Sequence, residues 1–352
     1  MSERSFESKG FLKVTVRTSV LMSQEYIVGF KRSNYSAVAT VIDYVAVFFA
    51  SVNNFLEKFD KKTLDLQLSV TSLVLLTKSS ETFVQVLPSE RTVINGSTLV
   101  KLNQFADSRR DLIGKDDIVI YLSKYTISTD QASGPKTPRA AGFASLGGAC
   151  TRNRSALVQD NPKTFAGVFT TVHETLHLIG VVHEGDAAPR YLENNLGAQD
   201  CSGYSTSIMA PVMGHAELTL SHCTERQVLA YLRSHRGGCL RLRHPYRHQR
   251  SILRSLIRAV LVNTANLCKE MVPDKRNVKY VEKLDEQYNM GTCHIVCSWQ
   301  EGNYIHYRYK KAPDFTPCVK NQPGRMKACL YGKCSEISTQ LKAFLKNIRK
   351  TL

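Results

Sequence analysis

Three histidines fall within eleven residues, in the stretch His173-Glu-Thr-Leu-His177-Leu-Ile-Gly-Val-Val-His183. Residues four apart share one face of an α-helix, so His173 and His177 can direct both imidazoles at a single ion. Neutral imidazole binds zinc with the nitrogen about 2.0–2.1 Å from the metal. The spacing therefore predicts a chelating helix over residues 165–179, followed by a turn that brings in His183 as a third ligand.

The residues around the chelating pair fit that helix. Gly180 supplies the turn, because glycine adopts positive φ at a helix C-terminus at little cost. The stripe opposite the histidines is apolar, and packing it into the core would hold the ligands in place. This stripe consists of Phe169, Val172, Leu176 and Ile179.

Glu174 gives the motif the chemistry of a catalyst. Three neutral histidines leave the fourth position of a tetrahedral zinc ion open to water, as in catalytic sites. Zinc lowers the pKa of that water toward about 7, and a neighbouring carboxylate can accept its proton. The alternative, ordinary core or surface histidines on a helix, leaves Gly180 and His183 at their fixed offsets unexplained.

The motif resembles the zinc signature of the metzincin metalloproteases, with Ser207-Ile-Met209-Ala-Pro211 in the place of that family's Met-turn. Residues 141–150 resemble its substrate-binding edge strand. Residues 220–223, together with Cys239, resemble the closing helix and final cysteine of the reprolysins (adamalysins), most nearly the tick salivary metalloproteases. The similarity extends over roughly residues 11–242 and is specific from residue 141 onward.

The resemblance implies further site residues. Met209 would form an apolar floor beneath the metal without binding it. A peptide would add as a strand along the edge, and residues after the Met-turn would shape the primed-side pocket. The substrate-binding residues implied in this way are Phe143, Ala144, Ser145, Leu146, Gly147, Ala210, Pro211 and Val212. The resemblance also implies one catalytic zinc ion and the disulfides Cys150–Cys239 and Cys201–Cys223; a structural calcium ion is a further candidate cofactor.

Glu184 departs from the reprolysin pattern. Reprolysins usually carry aspartate directly after the third histidine, whereas here Glu184 stands there and Asp186 follows two residues later. Glutamate at this position is more like the astacins, which are the alternative branch. Pro211 follows the Met-turn closely and no tyrosine stands there as a fifth ligand, which favours the reprolysins.

The apolar pattern predicts an α/β layer structure around this motif. Runs rich in valine, isoleucine and leucine predict strands, and apolar residues at helical spacing predict helices. The predicted strands are 14–22, 64–77, 117–122, 141–149 and 155–159. The predicted helices before the metal-binding one are 35–59 and 99–112. With the resemblance, the fold class is α/β (α+β): a metzincin domain with a twisted, mixed, mostly parallel sheet and an active-site helix, plus a small disulfide-rich C-terminal domain.

Size and charge narrow the possible classes of protein. The 352 residues, 43% of them hydrophobic, suffice for one large domain and a smaller one. No apolar run reaches the roughly 18 residues needed to cross a bilayer. The net charge of +17 is placed unevenly, with eight arginines between residues 233 and 258. The simpler interpretation of this arginine-rich stretch is a solvated linker and helix face. The alternative is that it binds an anionic polysaccharide or a membrane surface. No nucleic-acid-binding motif accompanies the charge.

Ten cysteines indicate an oxidising, extracellular environment. Six of them have spacings typical of a disulfide-stapled module, with their pairing left open: Cys268, Cys293, Cys297, Cys318, Cys329 and Cys334. Sequons at Asn34, Asn95 and Asn153 are candidate glycosylation sites. The first residues lack the apolar segment of a secretory signal, so we expect the natural protein to carry a signal and a propeptide ahead of them. The predicted divisions are an N-terminal tail (1–10), the catalytic domain (11–242), a basic linker (243–265) and a cysteine-rich domain (266–352).

Together these features predict a secreted zinc-dependent metalloendopeptidase that hydrolyses internal peptide bonds of extracellular proteins. The alternative is a catalytically weak or inactive protease-like binding protein that acts through its cysteine-rich tail or basic stretch. Glu174 counts against the alternative, because a structural zinc site needs the histidines but not the adjacent carboxylate.

Overall fold

The computed structural model describes residues 10–30, 37–88, 90–128, 139–162, 164–192, 194–203, 206–211, 218–241, 268–269, 271–272, 274–312, 316, 318, 327–330 and 332–336. The chain divides into two compact units. One comprises Met1–Lys31, Val52–Pro162 and Ala166–Tyr246, and the other comprises Arg32–Ser51, Lys163–Phe165 and Arg247–Leu352. Apart from Gly10, the predicted tail 1–10 and the predicted linker 243–265 lie outside the described residues.

In chain order the elements are β1 (Leu12–Met22), α1 (Gln24–Val28), α2 (Ala37–Leu56), β2 (Leu64–Leu75), β3 (Val86–Leu87), β4 (Glu90–Asn95), α3 (Ser97–Ser108), α4 (Arg110–Ile113), β5 (Ile118–Ser123), β6 (Thr126–Ser128), β7 (Arg139–Ala140), β8 (Gly142–Ala144), β9 (Ser155–Gln159), α5 (Val168–Leu178), α6 (His222–Arg233), α7 (Gly238–Arg241), β10 (Lys279–Val281), a 3-10 helix (Met290–Thr292), β11 (His294–Glu301), β12 (Tyr304–Lys311), β13 (Lys327–Leu330) and β14 (Lys333–Glu336).

A five-stranded sheet in the order β2-β1-β5-β9-β8 organises the first unit. β1 runs parallel to β2 and to β5, β5 runs parallel to β9, and β8 is antiparallel to β9. The fold class predicted from the sequence is therefore confirmed, including the mostly parallel sheet. β5 is buried at every residue, which explains why its sequence is a continuous apolar run rather than an alternating one.

The predicted elements differ from the observed ones in three places. The predicted helix 99–112 is two helices, α3 and α4, because Arg109 leaves helical geometry at φ −106° and ψ 49°. The predicted strand 141–149 is paired only over β8, and the residues after it form turns. A second sheet in the order β3-β4-β6-β7 was not predicted, since its strands have two to six residues.

The second unit carries a sheet in the order β10-β11-β12 and a two-stranded sheet of β13 and β14. Its core combines cystine sulfurs with a few apolar side chains such as Ile295 and Val272. Among the described residues, no helix is long and apolar enough to cross a membrane.

All ten cysteines are paired. The first unit contains Cys150–Cys239 and Cys201–Cys223, the pairs that the resemblance implies. The pairing left open in the tail is Cys268–Cys297, Cys293–Cys329 and Cys318–Cys334. A core so small depends on such cross-links for stability.

We expect the two disulfides of the first unit to differ in their contribution to stability. Cys150 and Cys239 are 89 residues apart, whereas Cys201 and Cys223 are 22 apart. Closing the longer loop removes more entropy from the unfolded chain, so loss of the bond should cost about 4.5 kcal/mol against about 3.4 kcal/mol. Urea unfolding of the Cys150→Ser/Cys239→Ser and Cys201→Ser/Cys223→Ser proteins measures both values. A larger loss for the shorter loop would contradict the chain-entropy explanation.

Candidate metal centre

α5 carries the first two histidines and is anchored by its apolar side. Of the predicted stripe, Val172, Leu176 and Ile179 are fully buried, whereas Phe169 is half-buried. The helix ends at Leu178, and Gly180 follows with a φ of +87°. A side chain at Gly180 would also collide with the ring of Tyr231, 2.5 Å from the position of its Cβ. The chain therefore turns tightly and returns His183 toward the helix.

Each of the three imidazole rings directs its Nε2 atom toward the same point. Nε2 of His183 lies 3.1 Å from Nε2 of His173 and 3.2 Å from Nε2 of His177. Three nitrogens at tetrahedral positions about 2.05 Å from a zinc ion would be roughly 3.3 Å apart. The spacing of the three atoms thus matches one face of a tetrahedral site.

The other ring nitrogens decide which atom carries the proton. Nδ1 of His173 lies 2.7 Å from the carbonyl oxygen of Ile208, and Nδ1 of His177 lies 2.7 Å from that of Val181. A carbonyl oxygen only accepts, so both Nδ1 atoms donate and both Nε2 atoms present lone pairs. Both lone pairs lie next to Nε2 of His183, where a metal cation could accept them together with the third nitrogen. The donor set therefore fits a zinc ion.

Burial keeps these rings in the form that binds metal. It lowers the pKa of His173 to about 4, against a weaker opposing effect of the Ile208 carbonyl. Burial likewise lowers the pKa of His177 well below its usual range, and that of His183, where Asp186 opposes the shift. All three rings are consequently neutral at neutral pH.

Glu174 is buried between α5 and the edge strand β8. Its Oε2 has no hydrogen-bond partner among the described residues. A methyl group at Gly142 would lie 2.2 Å from Oε1 of this carboxylate, so glycine is the residue that leaves room for it. Burial raises the pKa of Glu174 well above its ordinary value. The sequence alone did not single out Gly142, although a glycine inside a strand signals such a close approach.

Glu184 connects the turn after His183 to the Met-turn segment through hydrogen bonds. Its Oε1 accepts hydrogen bonds from Ser207 (2.7 Å), Ser221 (2.5 Å) and Thr224 (3.3 Å). Its backbone nitrogen donates to the carbonyl oxygen of Met209, 2.9 Å away. Since Ser221 is the N-cap of α6, one carboxylate joins three segments around the site. Sequence reasoning noted Glu184 as a family departure but missed these partners.

Replacing Glu184 with alanine should destabilise the protein by about 2–4 kcal/mol, because buried hydroxyl groups lose a charged acceptor. Urea unfolding of the zinc-loaded protein measures this loss. Glu57→Ala, a change of an exposed carboxylate directly after α2, should shift the unfolding free energy by about 0.5 kcal/mol or less. A similar small shift for Glu184→Ala would show that the network does not stabilise the fold.

The remaining predicted site residues fall around this centre or outside the described residues. Phe143 and Ala144 lie in β8, whereas Ser145, Leu146 and Gly147 lie in the turns that follow. The backbone nitrogen of Gly147 donates to the carbonyl oxygen of His177 at 2.8 Å, so the end of the edge strand is tied to the end of α5.

The segment in the place of the Met-turn contacts His173, because the carbonyl oxygen of Ile208 accepts a hydrogen bond from Nδ1 of that ring. Met209 and Ala210 are buried and Pro211 is exposed. Val212 lies outside the described residues.

The three sequons differ in accessibility. Asn153 is exposed, whereas Asn95 is half-buried and its Oδ1 accepts a hydrogen bond from the backbone nitrogen of Ser97 at 2.7 Å. Asn34 lies outside the described residues. Asn153 is thus the better placed of the two described acceptors.

Comparison with known proteins relates this centre to one peptidase family. The family model described as metallo-peptidase family M12 (Reprolysin_5) matches residues 13–221. The chain is 26% identical over 227 residues to "A disintegrin and metalloproteinase with thrombospondin motifs like" of Bombyx mori, covering 62% of this chain and 30% of that protein. It is 27% identical over 183 residues to "A disintegrin and metalloproteinase with thrombospondin motifs 18" of Mus musculus, covering 50% and 13%.

A third relative is much shorter. The chain is 23% identical over 215 residues to "Venom metalloproteinase antarease-like TserMP_B" of Tityus serrulatus, covering 58% of this chain and 89% of that protein. In contrast, the chain spans less than a third of the silkworm and mouse proteins. The closeness to tick proteins stays a prediction.

Proposed function

Because the chain belongs to the reprolysin-like branch of metallopeptidase family M12, we propose that it is a secreted zinc endopeptidase that cuts internal peptide bonds of extracellular proteins. One observation supports the proposal most strongly. Three histidine Nε2 atoms converge, and the residue next to the first histidine is a buried glutamate with one carboxylate oxygen that has no hydrogen-bond partner among the described residues. A binding protein derived from a peptidase has no need for that carboxylate.

The proposed metal ligands are His173, His177 and His183, with Met209 as the apolar floor. Neutral imidazole nitrogens in a tetrahedral arrangement favour zinc over calcium, which prefers oxygen ligands. When bound, zinc would polarise the scissile carbonyl and acidify a water molecule. A structural calcium ion remains an independent candidate elsewhere in the chain.

Glu174 is the proposed general base and then general acid. Its carboxylate would accept a proton from the attacking water and pass it to the leaving amine nitrogen. Both transfers require a pKa nearer to neutrality than that of an exposed glutamate. Burial against Gly142 raises the pKa in that direction.

The edge strand β8 is the proposed docking line for substrate. It is the last strand of its sheet, so an extended peptide can continue the ladder along its outer edge. The paired part is short, which limits regular strand addition to Gly142–Ala144. The residues from Ser145 to Gly147 would then bind flanking side chains, together with Ala210, Pro211 and Val212.

Secretion and domain organisation complete the proposal. Five disulfides are typical of extracellular proteins. We assign residues 11–242 to the catalytic domain, 243–265 to a basic linker and 266–352 to a cysteine-rich domain. Extracellular proteins are the proposed substrates, and an anionic polysaccharide is a further partner.

Cleavage of casein or gelatin by the refolded, disulfide-bonded chain tests this proposal. Activity that disappears on zinc chelation and returns with added zinc would support it. A chain that binds one equivalent of zinc but cuts none of a varied set of peptides would instead be the binding protein described above.

A further inference from the structure

Gln227 is a polar residue on the buried face of α6. Its side chain is 1% exposed, and the residues that share this face are mostly apolar. A buried amide group costs free energy unless its donor and its acceptor are both hydrogen-bonded. An apolar residue would therefore suit this position better, unless the amide makes contacts that an apolar side chain cannot make.

Both ends of the Gln227 amide are bonded to backbone groups. Its Oε1 accepts a hydrogen bond from the backbone nitrogen of Val182 at 3.0 Å. Its Nε2 donates to the carbonyl oxygen of Cys223 at 3.2 Å, one helical turn earlier. A backbone N–H only donates and a carbonyl oxygen only accepts, so these partners fix which end of the amide faces Val182. The acceptor of Gln227 is thus directed at the turn that follows α5.

Val182 directly precedes His183, the proposed zinc ligand that lies outside α5. The two residues before Val182 donate their backbone N–H groups to carbonyl oxygens of α5 itself. The residue after His183 donates its backbone N–H to the Met-turn segment. The contact with Gln227 therefore lies between these two anchors, at the residue next to the ligand.

The side chain of Val182 contacts the same helix. It is 6% exposed and belongs to a small buried cluster with Ala198 and Cys223. Leu146, which follows the edge strand β8, packs against this cluster. Because Cys223 is part of α6, the backbone and the side chain of Val182 both contact that helix.

α6 is itself held near both ends. Close to its start, Cys223 is bonded to Cys201. Close to its end, the hydroxyl group of Tyr231 donates to the carbonyl oxygen of Gly147 at 3.3 Å. A residue that is bonded to an element fixed in this way has little freedom to move, so α6 can determine where the turn lies.

We propose that Gln227 is a positioning residue for the third zinc ligand: its amide holds the backbone of Val182, so that His183 is in place before zinc binds. The proposal rests on the assignment of His183 as a ligand, which is part of the function proposed above. A ligand that is already in place loses less freedom when the ion binds, which raises the affinity. Without the amide, the buried N–H of Val182 loses its acceptor, and the turn shifts to find another.

The zinc affinity of the full-length, disulfide-bonded chain tests this assignment independently of peptide cleavage. Gln227→Met keeps nearly the size and shape of the side chain but removes both hydrogen-bonding groups of the amide. Competition with a chromophoric chelator should give a zinc dissociation constant about five- to tenfold higher than that of the original protein. This effect is smaller than the roughly 10–100-fold loss expected for a group bonded directly to a ligand.

The control for a general loss of stability is Val228→Ala, next to Gln227 on the same helix. Val228 is fully buried, and its truncation leaves a cavity that should destabilise the fold. Its apolar side chain offers no hydrogen bond to the turn, so the zinc dissociation constant of the folded protein should stay within about twofold of the original. Thermal unfolding of the zinc-free proteins shows how far each variant is destabilised.

Two outcomes of the affinity measurement would overturn the proposal. In the first, Gln227→Met binds zinc as tightly as the original protein. In the second, Gln227→Met and Val228→Ala weaken zinc binding equally, which would leave Gln227 a purely structural role. Failure of the proposed function is recognised separately, because His183→Gln would then bind zinc as tightly as the original protein.

Amide hydrogen exchange of the original protein, measured by NMR without zinc, decides if Gln227→Met does not fold. Slow exchange at the amide of Val182 would support a turn that is held in place before the ion binds. Exchange as fast as in exposed loops would show that the contact with Gln227 does not persist, and the proposal would be wrong.

Discussion

Glu174→Gln should reduce kcat for an internally quenched peptide by about 10²–10⁴-fold while zinc binding stays intact. Glutamine keeps the shape of the side chain in the space beside Gly142, so the fold should not change. It cannot accept a proton from water, and the base is lost. Steady-state cleavage assays give kcat, and the metal content of the purified protein shows whether zinc binding is intact.

The control for this change is Glu225→Gln on α6, which removes a half-buried carboxylate outside the metal centre. It should leave kcat within about twofold of the original protein. If Glu174→Gln kept full zinc and full activity, another group would have to serve as the base. If it lost zinc as well, the variant would say nothing specific about proton transfer, and Glu174→Asp with measured zinc content would decide.

His183→Gln should weaken zinc binding by more than about 100-fold and abolish cleavage at physiological zinc concentrations. His183 is the proposed ligand that lies outside α5, and its side chain is 35% exposed, so its replacement disturbs packing less than a change in the helix. Loss of one of three nitrogens leaves an incomplete site. Competition with a chromophoric chelator gives the zinc dissociation constant directly, independently of activity.

Two further variants serve as comparisons for the loss of zinc affinity. His222→Gln removes an exposed imidazole near Asp200 and should leave zinc affinity unchanged. Asp186→Asn removes the carboxylate whose oxygen is 3.7 Å from Nδ1 of His183, and it should weaken zinc binding by about tenfold at most. Undiminished zinc affinity in His183→Gln would remove this residue from the proposed ligand set.

Local geometry explains how much of the centre the sequence could predict. The i, i+4 relation of His173 and His177 follows from helical periodicity, and a glycine at 180 follows from the cost of positive φ. Strand β5 was predictable because a parallel strand covered on both faces is a continuous apolar run. The break of the predicted helix at Arg109 was not, since no proline or glycine stands there to signal it.

Contacts between segments that are far apart along the chain could not be predicted from the sequence. Glu184 takes its partners from residues 23 to 40 positions away, and Gly142 meets a carboxylate 32 positions away. The sheet of β3, β4, β6 and β7 is likewise made by pairing strands too short to show a period. Neither a hydrogen-bond partner nor a close approach leaves a repeating pattern in the chain.

The sequence by itself determined the peptidase family, the identity of the candidate ligands and base, and the α/β fold class, because each depends on residue types at short fixed spacings. The tertiary structure alone decided that three Nε2 atoms converge, that Nδ1 of His173 and of His177 donate to carbonyl oxygens, and that Glu174 is enclosed against Gly142. It also decided that the amide of Gln227 meets the backbone of Val182. Burial and convergence are properties of packed segments, and packing brings together residues whose separation along the chain carries no information about their distance in space.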